Sequence, residues 1–432
     1  MSASGTTDAP STGPPPQEGI RSFGQIRGFD GIRGVGVLIV FVSHMEVILP
    51  LPTLLVIPGG TVSLDMFFVL SGFLITALLL REQARYGMIG RLAFYRRRVL
   101  RLLPALIVVV IAAGLAAWAF GYWDSRDWPS IFSVSFYYSN YYVARSPDFW
   151  CANLAPGYQA MWSMSFEEQF YMVWPWITIF LLTIRIRLRT VVIVLVGLIA
   201  VVSIHRAISY HGVQSWCYLF HATDSRADSI LWGALLAHLW VRRREPTRGV
   251  AAAGWIGLAV LLVLMPTTTL FGPFLYRGGF ILIDVACAAI VLAVLDSSWK
   301  GGWLFQQKPF VALGLVSYGF YLWHMPVFYF VRRFDTHWPL WFRVVFAFGL
   351  TLGLTLASWF LLERPITRWK ERLERQRRPG EMPARALSMA EEPAPSTAPA
   401  QPLEPTEGPI EGPIEGPTGG PGGGPAAPGT VE

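Results

Sequence analysis

The sequence predicts an all-α protein, a polytopic membrane helical bundle with about ten transmembrane helices and both termini in the cytoplasm. Of its 432 residues, 53% are hydrophobic and only 15% are charged, and the mean hydropathy is +0.43. This composition is too apolar for an ordinary soluble protein. The helix count comes from apolar stretches close to the length that crosses a bilayer. They fall at about 32–50, 62–80, 99–120, 168–184, 190–205, 227–241, 250–266, 275–296, 309–331 and 340–362.

The distribution of Lys and Arg predicts the orientation of these helices. With the N-terminus inside, the inner segments hold 25 of these residues and the outer segments hold 7. Cytoplasmic segments of membrane proteins are enriched in positive charge, so both termini are expected in the cytoplasm. The net charge of +7 and the pI near 9.4 follow from this orientation, and nucleic acid is not an expected partner.

Residues 32–362 are predicted to form one integral membrane domain with mostly short connections. Residues 1–22 are rich in Pro, Ser and Thr, and residues 369–432 are rich in Pro, Gly, Glu and Ala, so both segments are predicted to be disordered. The first twenty residues lack a basic region followed by an apolar core. We therefore expect the first spanning helix to direct membrane insertion.

The first predicted helix carries two ionisable side chains, Arg33 and His44, in a stretch that is otherwise apolar or small. Eleven helical steps separate them, which brings both side chains to within about 20° of one face and about 16 Å apart. Ionisable groups inside a spanning helix are costly and usually mark a functional interior. Alternatively, Arg33 extends to the inner interface and His44 is a bundle histidine with satisfied hydrogen bonds.

The second and third helices contain motifs of small and basic residues. SLDMFFVLSGFLIT places Asp65 and Ser71 in the second helix, where small residues favour close helix packing. In FYRRRVLRLLP, Arg98 and Arg101 are three residues apart and share a helical face, which suits phosphate binding at the inner interface. The positive-inside rule alone also explains these arginines.

Charged residues recur at the outer helix ends. WSMSFEEQFYMVWP places Glu167 and Glu168 at the outer start of the fourth helix. A carboxylate there either suits the helix dipole or orients a histidine. DSRADSILWGALLA brings Arg226 and Asp228 to the outer end of the sixth helix, where a structural ion pair would explain both charges.

The ninth helix contains LVSYGFYLWHMPVF, which carries Tyr321 and His324. His324 lies about fifteen residues above the inner end of its helix and His44 lies about twelve above its own. This comparable depth is compatible with a cavity that both histidines share.

The outer segment 121–167 is rich in aromatic residues, which either anchor the protein at the membrane interface or stack on a sugar. Cys151 and Cys217 both fall in predicted outer segments. A disulfide between them and two separate thiols are both compatible with the sequence. The third cysteine, Cys287, is expected within the eighth helix.

Seven motifs in one order resemble those of the acyltransferase 3 family: Asp-Gly-x-Arg followed by ten residues and His, FFVLSGFLIT, RRxxRLLP, WSMSFEEQFYxxWP, RAD-x-x-x-WGALLA, SYGFYLWHMP and LLERP. This family consists of integral membrane acyltransferases that modify envelope polysaccharides, lipopolysaccharide, glycolipids or peptidoglycan, and in some members macrolide antibiotics. The resemblance covers about residues 23–368. The departures are mild, since Gly36 replaces the usual alanine and Met164 with Ser165 replaces the common Leu-Ala.

The resemblance implies a set of site residues. Arg33 and His44 match the family's essential Arg/His pair, and Glu167 matches its outer glutamate, so these three are the catalytic candidates. Arg98 and Arg101 match the inner arginine motif and are expected to bind the phosphates of the donor. Further candidates for the acceptor site or its cavity are Asp30, Asp65, Ser71, Arg226, Asp228, Tyr321 and His324.

The resemblance also implies an enzyme, an acyltransferase that moves a short acyl group, acetyl by default, from cytoplasmic acyl-CoA to a hydroxyl of an envelope saccharide or glycolipid. Acyl-CoA is the expected co-substrate, the lipid bilayer of a bacterial inner or plasma membrane is expected to surround the protein, and no metal is expected. An imidazole with an ordinary pKa of about 6.5 suits neutral pH, so His44 is the candidate base or transient acyl carrier. The arginine motif is expected at the inner surface and the histidines with Glu167 in the outer half. Donor and acceptor would then enter from opposite faces.

Two alternatives remain open at this point. The enzyme could acylate a small secondary metabolite such as a macrolide instead of an envelope saccharide. A polar path through a helical bundle also suits a lipid or sugar carrier or flippase. Against a carrier, about ten helices without a detectable internal repeat are unusual for the common transporter folds.

Overall fold

The computed structural model describes residues 26–49, 59–148, 151–212, 214–241, 249–334 and 337–369. The N-terminal segment 1–22 and nearly all of the C-terminal segment 369–432, both predicted to be disordered, lie outside these residues. The described residues form helices and contain no strand, as the sequence predicts.

Fifteen α-helices are present in the described part of the chain. They are α1 (Arg27–Ser43), α2 (Gly59–Tyr86), α3 (Arg91–Ala119), α4 (Asp127–Ser135), α5 (Ser139–Ala144), α6 (Trp162–Thr183), α7 (Leu188–Ser209), α8 (Trp216–His221), α9 (Thr223–Val241), α10 (Val250–Thr267), α11 (Phe280–Val294), α12 (Gly302–Phe305), α13 (Lys308–Leu315), α14 (Ser317–Phe334) and α15 (Leu340–Ser358). Short 3-10 or π-helical turns lie at Met45–Val47, Gln159–Met161, Leu275–Gly279 and Trp359–Glu363.

Each predicted apolar stretch overlaps one of the long helices. Seven described helices are long and apolar enough to cross a membrane by themselves, and α13 with α14 would form an eighth span bent by 77°. The remaining two, α6 and α9, have 22 and 19 residues but carry the charged motifs around Glu167 and Arg226. The figure of ten spans therefore stays a prediction.

Glycines allow α1 to lie against α13. A Cβ atom at Gly34 would overlap the carbonyl of Phe310, and one at Gly314 would overlap the carbonyl of Asp30. Backbone contact of this kind requires residues without a side chain, as is common between membrane helices. The chain then bends by 77° between α13 and α14, and α14 stays against α1 through ring contacts of Phe41 with Phe320 and Phe328.

A second contact of the same kind joins α2 to α9. A Cβ at Gly72 would overlap the carbonyl of Ile230, and a Cβ at Gly233 would overlap the carbonyl of Val69. The two glycines therefore bring these backbones together reciprocally, and most of α2 is buried inside the bundle. This places the polar residues of α2 in the protein interior.

The segment between α3 and α6 holds the short helices α4 and α5. A disulfide joins Cys151 to Cys217 of α8, with Cα atoms 5.7 Å apart, and Cys287 is a buried free thiol in α11. Trp128, Phe132 and Phe136 form an exposed row of rings. Membrane anchoring and sugar stacking both remain compatible with this exposed row.

Candidate active site

A cavity of about 150 Å³ lies between α1, α2, α3, α6 and the junction of α13 with α14. Its wall contains several residues that the sequence singled out: Arg33, Ser71, Arg98, Arg101, Glu167 and Tyr321. It also contains Ser163, Glu168, Tyr171, Ser317 and Tyr318. The fold thus collects polar groups that are far apart along the chain, and we call this space the central cavity.

Glu167 is oriented by two neutral donors. The hydroxyl of Ser71 on α2 donates to Oε1 of Glu167 at 3.2 Å, and the hydroxyl of Tyr171 donates to Oε2 at 3.3 Å. Tyr171 lies four residues further along α6, which places it one helical turn away on the same face. The carboxylate is thereby held at the wall of the central cavity.

Arg98 forms an ion pair with the neighbouring carboxylate, Glu168. Its Nη2 and Nε donate to Oε1 at 2.9 and 3.1 Å, and its guanidinium lies 3.1 Å from the centre of the Tyr171 ring. Charge-assisted bonds from two nitrogens of one guanidinium fix its plane as well as its position.

This ion pair corrects the depths inferred from the sequence. Arg98 was expected at the inner surface and the glutamates in the outer half, yet they touch. Arg98 lies seven residues into α3, about 10 Å from its start, and Glu168 lies six residues into α6, about 9 Å from its start. The two antiparallel helices therefore bring these groups to one level inside the bundle.

Guanidinium groups outnumber carboxylates by one in the wall of the central cavity. Arg33 enters from α1 with Nη1 3.6 Å from Oδ1 of Asp30, which lies outside the cavity wall. Three arginines and two glutamates belong to the wall as the structure describes it. An excess of guanidinium groups suits phosphate or the negative charge that develops on a carbonyl oxygen.

The rings of His44 and His324 lie side by side, with centres 5.2 Å apart. His44 caps the C-terminal end of α1, and its Nδ1 lies 2.9 Å from the carbonyl oxygen of Val40. Nδ1 of His324 approaches the carbonyl oxygen of Tyr321 in the same way. A carbonyl accepts but does not donate, so in both rings Nδ1 carries hydrogen and Nε2 carries the lone pair of the neutral form.

Tyr321 separates the histidine pair from the central cavity. Its ring centre lies 5.3 Å from that of His324, and the residue belongs to the cavity wall. The Tyr321 hydroxyl lies 2.6 Å from both the hydroxyl of Ser163 and the carbonyl oxygen of Ala160. Nε2 of His324 is buried and has no hydrogen-bond partner among the described residues.

Another histidine, the buried His221, is unsuited to act as a base. It belongs to α8, outside the candidate membrane spans. Its Nδ1 is bonded to the carbonyl oxygen of Cys217 at 2.7 Å, and burial lowers the pKa of its imidazole to about 3. A group with such a pKa has little tendency to accept a proton at neutral pH.

Three candidates from the sequence lie away from the central cavity, in a buried cluster of ion pairs. Asp65 of α2 pairs with Arg226, and Asp228 pairs with Arg206 of α7 through two contacts of 2.6 and 2.7 Å. The ion pair between Arg226 and Asp228 inferred from the sequence does not form. Residues two positions apart project about 200° apart on a helix, so each reaches a different neighbour.

The sequence reasoning missed two members of this cluster, Arg206 and Asp284. The hydroxyl oxygen of Ser229 lies 3.1 Å from both the Asp65 and the Asp284 carboxylates. A single acid inside the apolar stretch FILIDVACAAIV is the signal that marks Asp284. Among the described residues, no group of three or more His, Cys, Asp or Glu side chains is placed to hold a metal.

Comparison with known proteins gives consistent matches. The family model described as "Acyltransferase domain", acyltransferase 3, matches residues 26–362. A Staphylococcus aureus (strain COL) protein named "Putative O-acetyltransferase" is 31% identical over 357 residues, which cover 79% of this chain and 57% of that protein. The "Putative peptidoglycan O-acetyltransferase YrhL" of Bacillus subtilis (strain 168) is 29% identical over 361 residues, with coverages of 79% and 55%.

A further relative is the "O-acetyltransferase OatA" of Staphylococcus aureus (strain NCTC 8325 / PS 47). It is 29% identical over 322 residues, which cover 71% of this chain and 51% of that protein. The chain thus spans about half the length of the curated relatives it matches. No solved structure matches the chain. Because the family match extends from α1 to the end of α15 and includes every helix around the central cavity, the chain belongs to the acyltransferase 3 family.

Proposed function

We propose that the protein moves a short acyl group, acetyl by default, from cytoplasmic acyl-CoA to a hydroxyl of an envelope saccharide or glycolipid. The observation that carries this proposal is the convergence of Arg33, Arg98 and Glu167 on one cavity, with a histidine pair directly beyond Tyr321. Relatives named O-acetyltransferases, one of them for peptidoglycan, support an acetyl group and an envelope acceptor.

His44 is the proposed base. Its Nδ1 is bonded to a backbone carbonyl, so Nε2 is the nitrogen that takes the proton of the acceptor hydroxyl. The hydroxyl oxygen then attacks the thioester carbonyl carbon, the carbon–sulfur bond breaks, and the proton passes to the CoA thiolate that leaves. In a two-step variant, Nε2 attacks the carbonyl carbon first and the CoA thiolate leaves. The hydroxyl oxygen then displaces the imidazole, which takes up the hydroxyl proton and passes it to the thiolate.

The arginines of the central cavity are proposed to bind the donor. Arg33 and Arg101 face the space where the thioester carbonyl would lie, and they would stabilise the negative charge that develops on its oxygen. Arg98 is held by Glu168, so its guanidinium is fixed before the donor arrives. Glu167, fixed by Ser71, is proposed to orient the acceptor or a histidine.

The protein is proposed to be a multi-pass protein of the cell membrane with both termini in the cytoplasm. Disulfides persist in oxidising compartments, and the Cys151–Cys217 disulfide lies on the side that the Lys and Arg distribution predicts to be external. His44 lies at the end of α1 that points to the same side. An acceptor would therefore approach the histidine pair from outside.

Sealed vesicles that contain the purified protein test this function. Acetyl-CoA with a labelled acetyl group is supplied on the face that carries the termini, and membrane-impermeant muropeptides are trapped on the other face. We expect labelled, alkali-labile ester on the trapped muropeptides with the unaltered protein and with His205→Gln, an exposed control on α7, but not with His44→Gln. If the His44→Gln variant incorporates labelled acetyl at the normal rate, His44 is not the base. If only muropeptides on the acetyl-CoA face are acetylated, donor and acceptor do not enter from opposite faces.

A further inference from the structure

We propose that the nucleotide phosphates of acyl-CoA bind in a second cavity, lined by Arg91 and Arg185, at the end of the helices that is predicted to face the cytoplasm. The pantetheine arm would run from there along the seam between α3 and α6 to the central cavity. This inference rests on the proposed function, and it names where the larger part of the donor binds.

The second cavity has a volume of about 450 Å³ and lies where the turn between α2 and α3 meets the end of α6. Arg91 and Arg185 supply two positive charges, and Gln83 with Thr183 adds neutral hydrogen-bonding groups. None of the residues described in its wall is acidic. Guanidinium groups form paired hydrogen bonds to phosphate oxygens, so the wall suits a phosphate-rich ligand.

Arg185 occupies a backbone position that normally favours glycine. It follows α6 with a φ of 51°, while its own N–H donates to Leu182 and the N–H of Ile186 donates to Leu181. This is the hydrogen-bond pattern that ends helices at a left-handed residue, usually glycine. A cation near the C-terminal end of a helix interacts favourably with the helix dipole. An arginine inside the last turn would make the same interaction without a left-handed backbone. The arginine here is therefore explained better by the cavity that it lines.

A row of contacts leads from this cavity to the central one along α3 and α6. The guanidinium of Arg91 lies 4.7 Å from the centre of the Trp176 ring. One turn further along α3, the hydroxyl of Tyr95 donates to the carbonyl of Met172 at 2.7 Å. The next step along the seam is the ion pair of Arg98 described above. Long side chains thus bridge the two antiparallel helices at successive turns.

The dimensions of the two cavities decide which end of the donor each one suits. At about 150 Å³ the central cavity is smaller than the 300 Å³ or more of typical ligand sites, so it suits the acyl thioester and not a nucleotide. Glu167 and Thr183 are sixteen residues apart on α6, about 24 Å along its axis. A pantetheine arm, about as long as five extended residues, reaches roughly 17 Å. The acyl group and the pyrophosphate lengthen the donor further toward the distance between the two cavities.

The test compares donors with and without the nucleotide. We expect the double variant Arg91→Gln with Arg185→Gln to raise the KM for acetyl-CoA roughly ten-fold, with kcat unchanged, because charge-assisted phosphate contacts are lost. The KM for acetylpantetheine, which has no nucleotide phosphates, should stay the same. Arg187→Gln with Arg189→Gln, two exposed arginines outside the cavity wall, is the matched control and should alter neither KM. An unchanged KM for acetyl-CoA, or an equal rise for both donors, would overturn the proposal.

A binding measurement keeps this proposal separate from the proposed function. Adenosine 3′,5′-bisphosphate should bind the detergent-solubilised protein saturably, and Arg185→Gly, which suits the left-handed backbone, should weaken that binding while the protein stays folded. If the unaltered protein transfers no acyl group from either donor, the proposed function fails, and saturable binding that Arg185→Gly weakens would still support the nucleotide site. Absence of nucleotide binding would overturn the proposal. If phosphatidylglycerol then binds the protein and Arg185→Gly weakens that binding, the arginines belong to a site for lipid headgroups.

Discussion

Loss of the ion pair between Arg98 and Glu168 should destabilise the protein strongly. The two side chains are only 20% and 12% exposed, and the guanidinium contacts the carboxylate at 2.9 to 3.3 Å. Removing one partner of a buried pair costs about 3–5 kcal/mol, because the other charge is left buried alone. The remaining exposure lowers this figure, so we expect Arg98→Gln to reduce the free energy of unfolding by about 3 kcal/mol.

A double-mutant cycle tests this reasoning. Adding Glu168→Gln to Arg98→Gln removes the stranded charge, so the double variant should lose only about 1–2 kcal/mol, less than Arg98→Gln loses alone. The assay is unfolding in mixed micelles followed by the fluorescence of the 18 tryptophans, with Arg187→Gln as a surface control. If the two single costs simply add in the double variant, the pair is not a coupled unit and the reasoning fails.

Three further predictions concern packing, the disulfide and the proposed base. Gly72→Ala should lower the free energy of unfolding by about 3 kcal/mol, because its methyl group would overlap a carbonyl of α9. Gly197→Ala, on the open face of α7, is the control and should be neutral or slightly stabilising in the same thermal unfolding assay. Replacing Cys151 and Cys217 by serine should lower stability by about 4 kcal/mol, the loop-entropy value for a 66-residue separation, and an unchanged unfolding midpoint would contradict this. His44→Ala should abolish acyl transfer while membrane abundance, measured by immunoblotting, stays normal.

The long helices could be predicted because apolar length is a local property of the sequence. The two histidines could also be assigned comparable depth by counting residues, and the structure places their rings 5.2 Å apart. Partner choice among charged groups could not be read in the same way, because it depends on which helices are neighbours. Arg98 was assigned to the inner surface by the positive-inside rule, but its partner Glu168 belongs to a helix that runs the other way.

Part of the missing information was nevertheless present in the sequence. Helical geometry alone excludes a direct pair between Arg226 and Asp228, because the two side chains project from nearly opposite faces. The lone Asp284 in an apolar stretch also calls for a partner inside the bundle. The sequence could not show that Asp284 shares the Ser229 hydroxyl with Asp65, because that arrangement depends on the packing of α2 against α9 through their glycines.

The buried ion pairs constrain the order in which the protein assembles in the membrane. A helix that carries Arg206 or Arg226 enters the bilayer with a charge that lipid does not neutralise, at a cost of a few kcal/mol for each charge on insertion scales. The charge of α9 is neutralised only when α2 is already beside it, and that of α7 only when α9 has arrived. The three helices are therefore expected to become stable together, so that a chain truncated before α9 would leave α2 and α7 without partners and open to quality-control proteases.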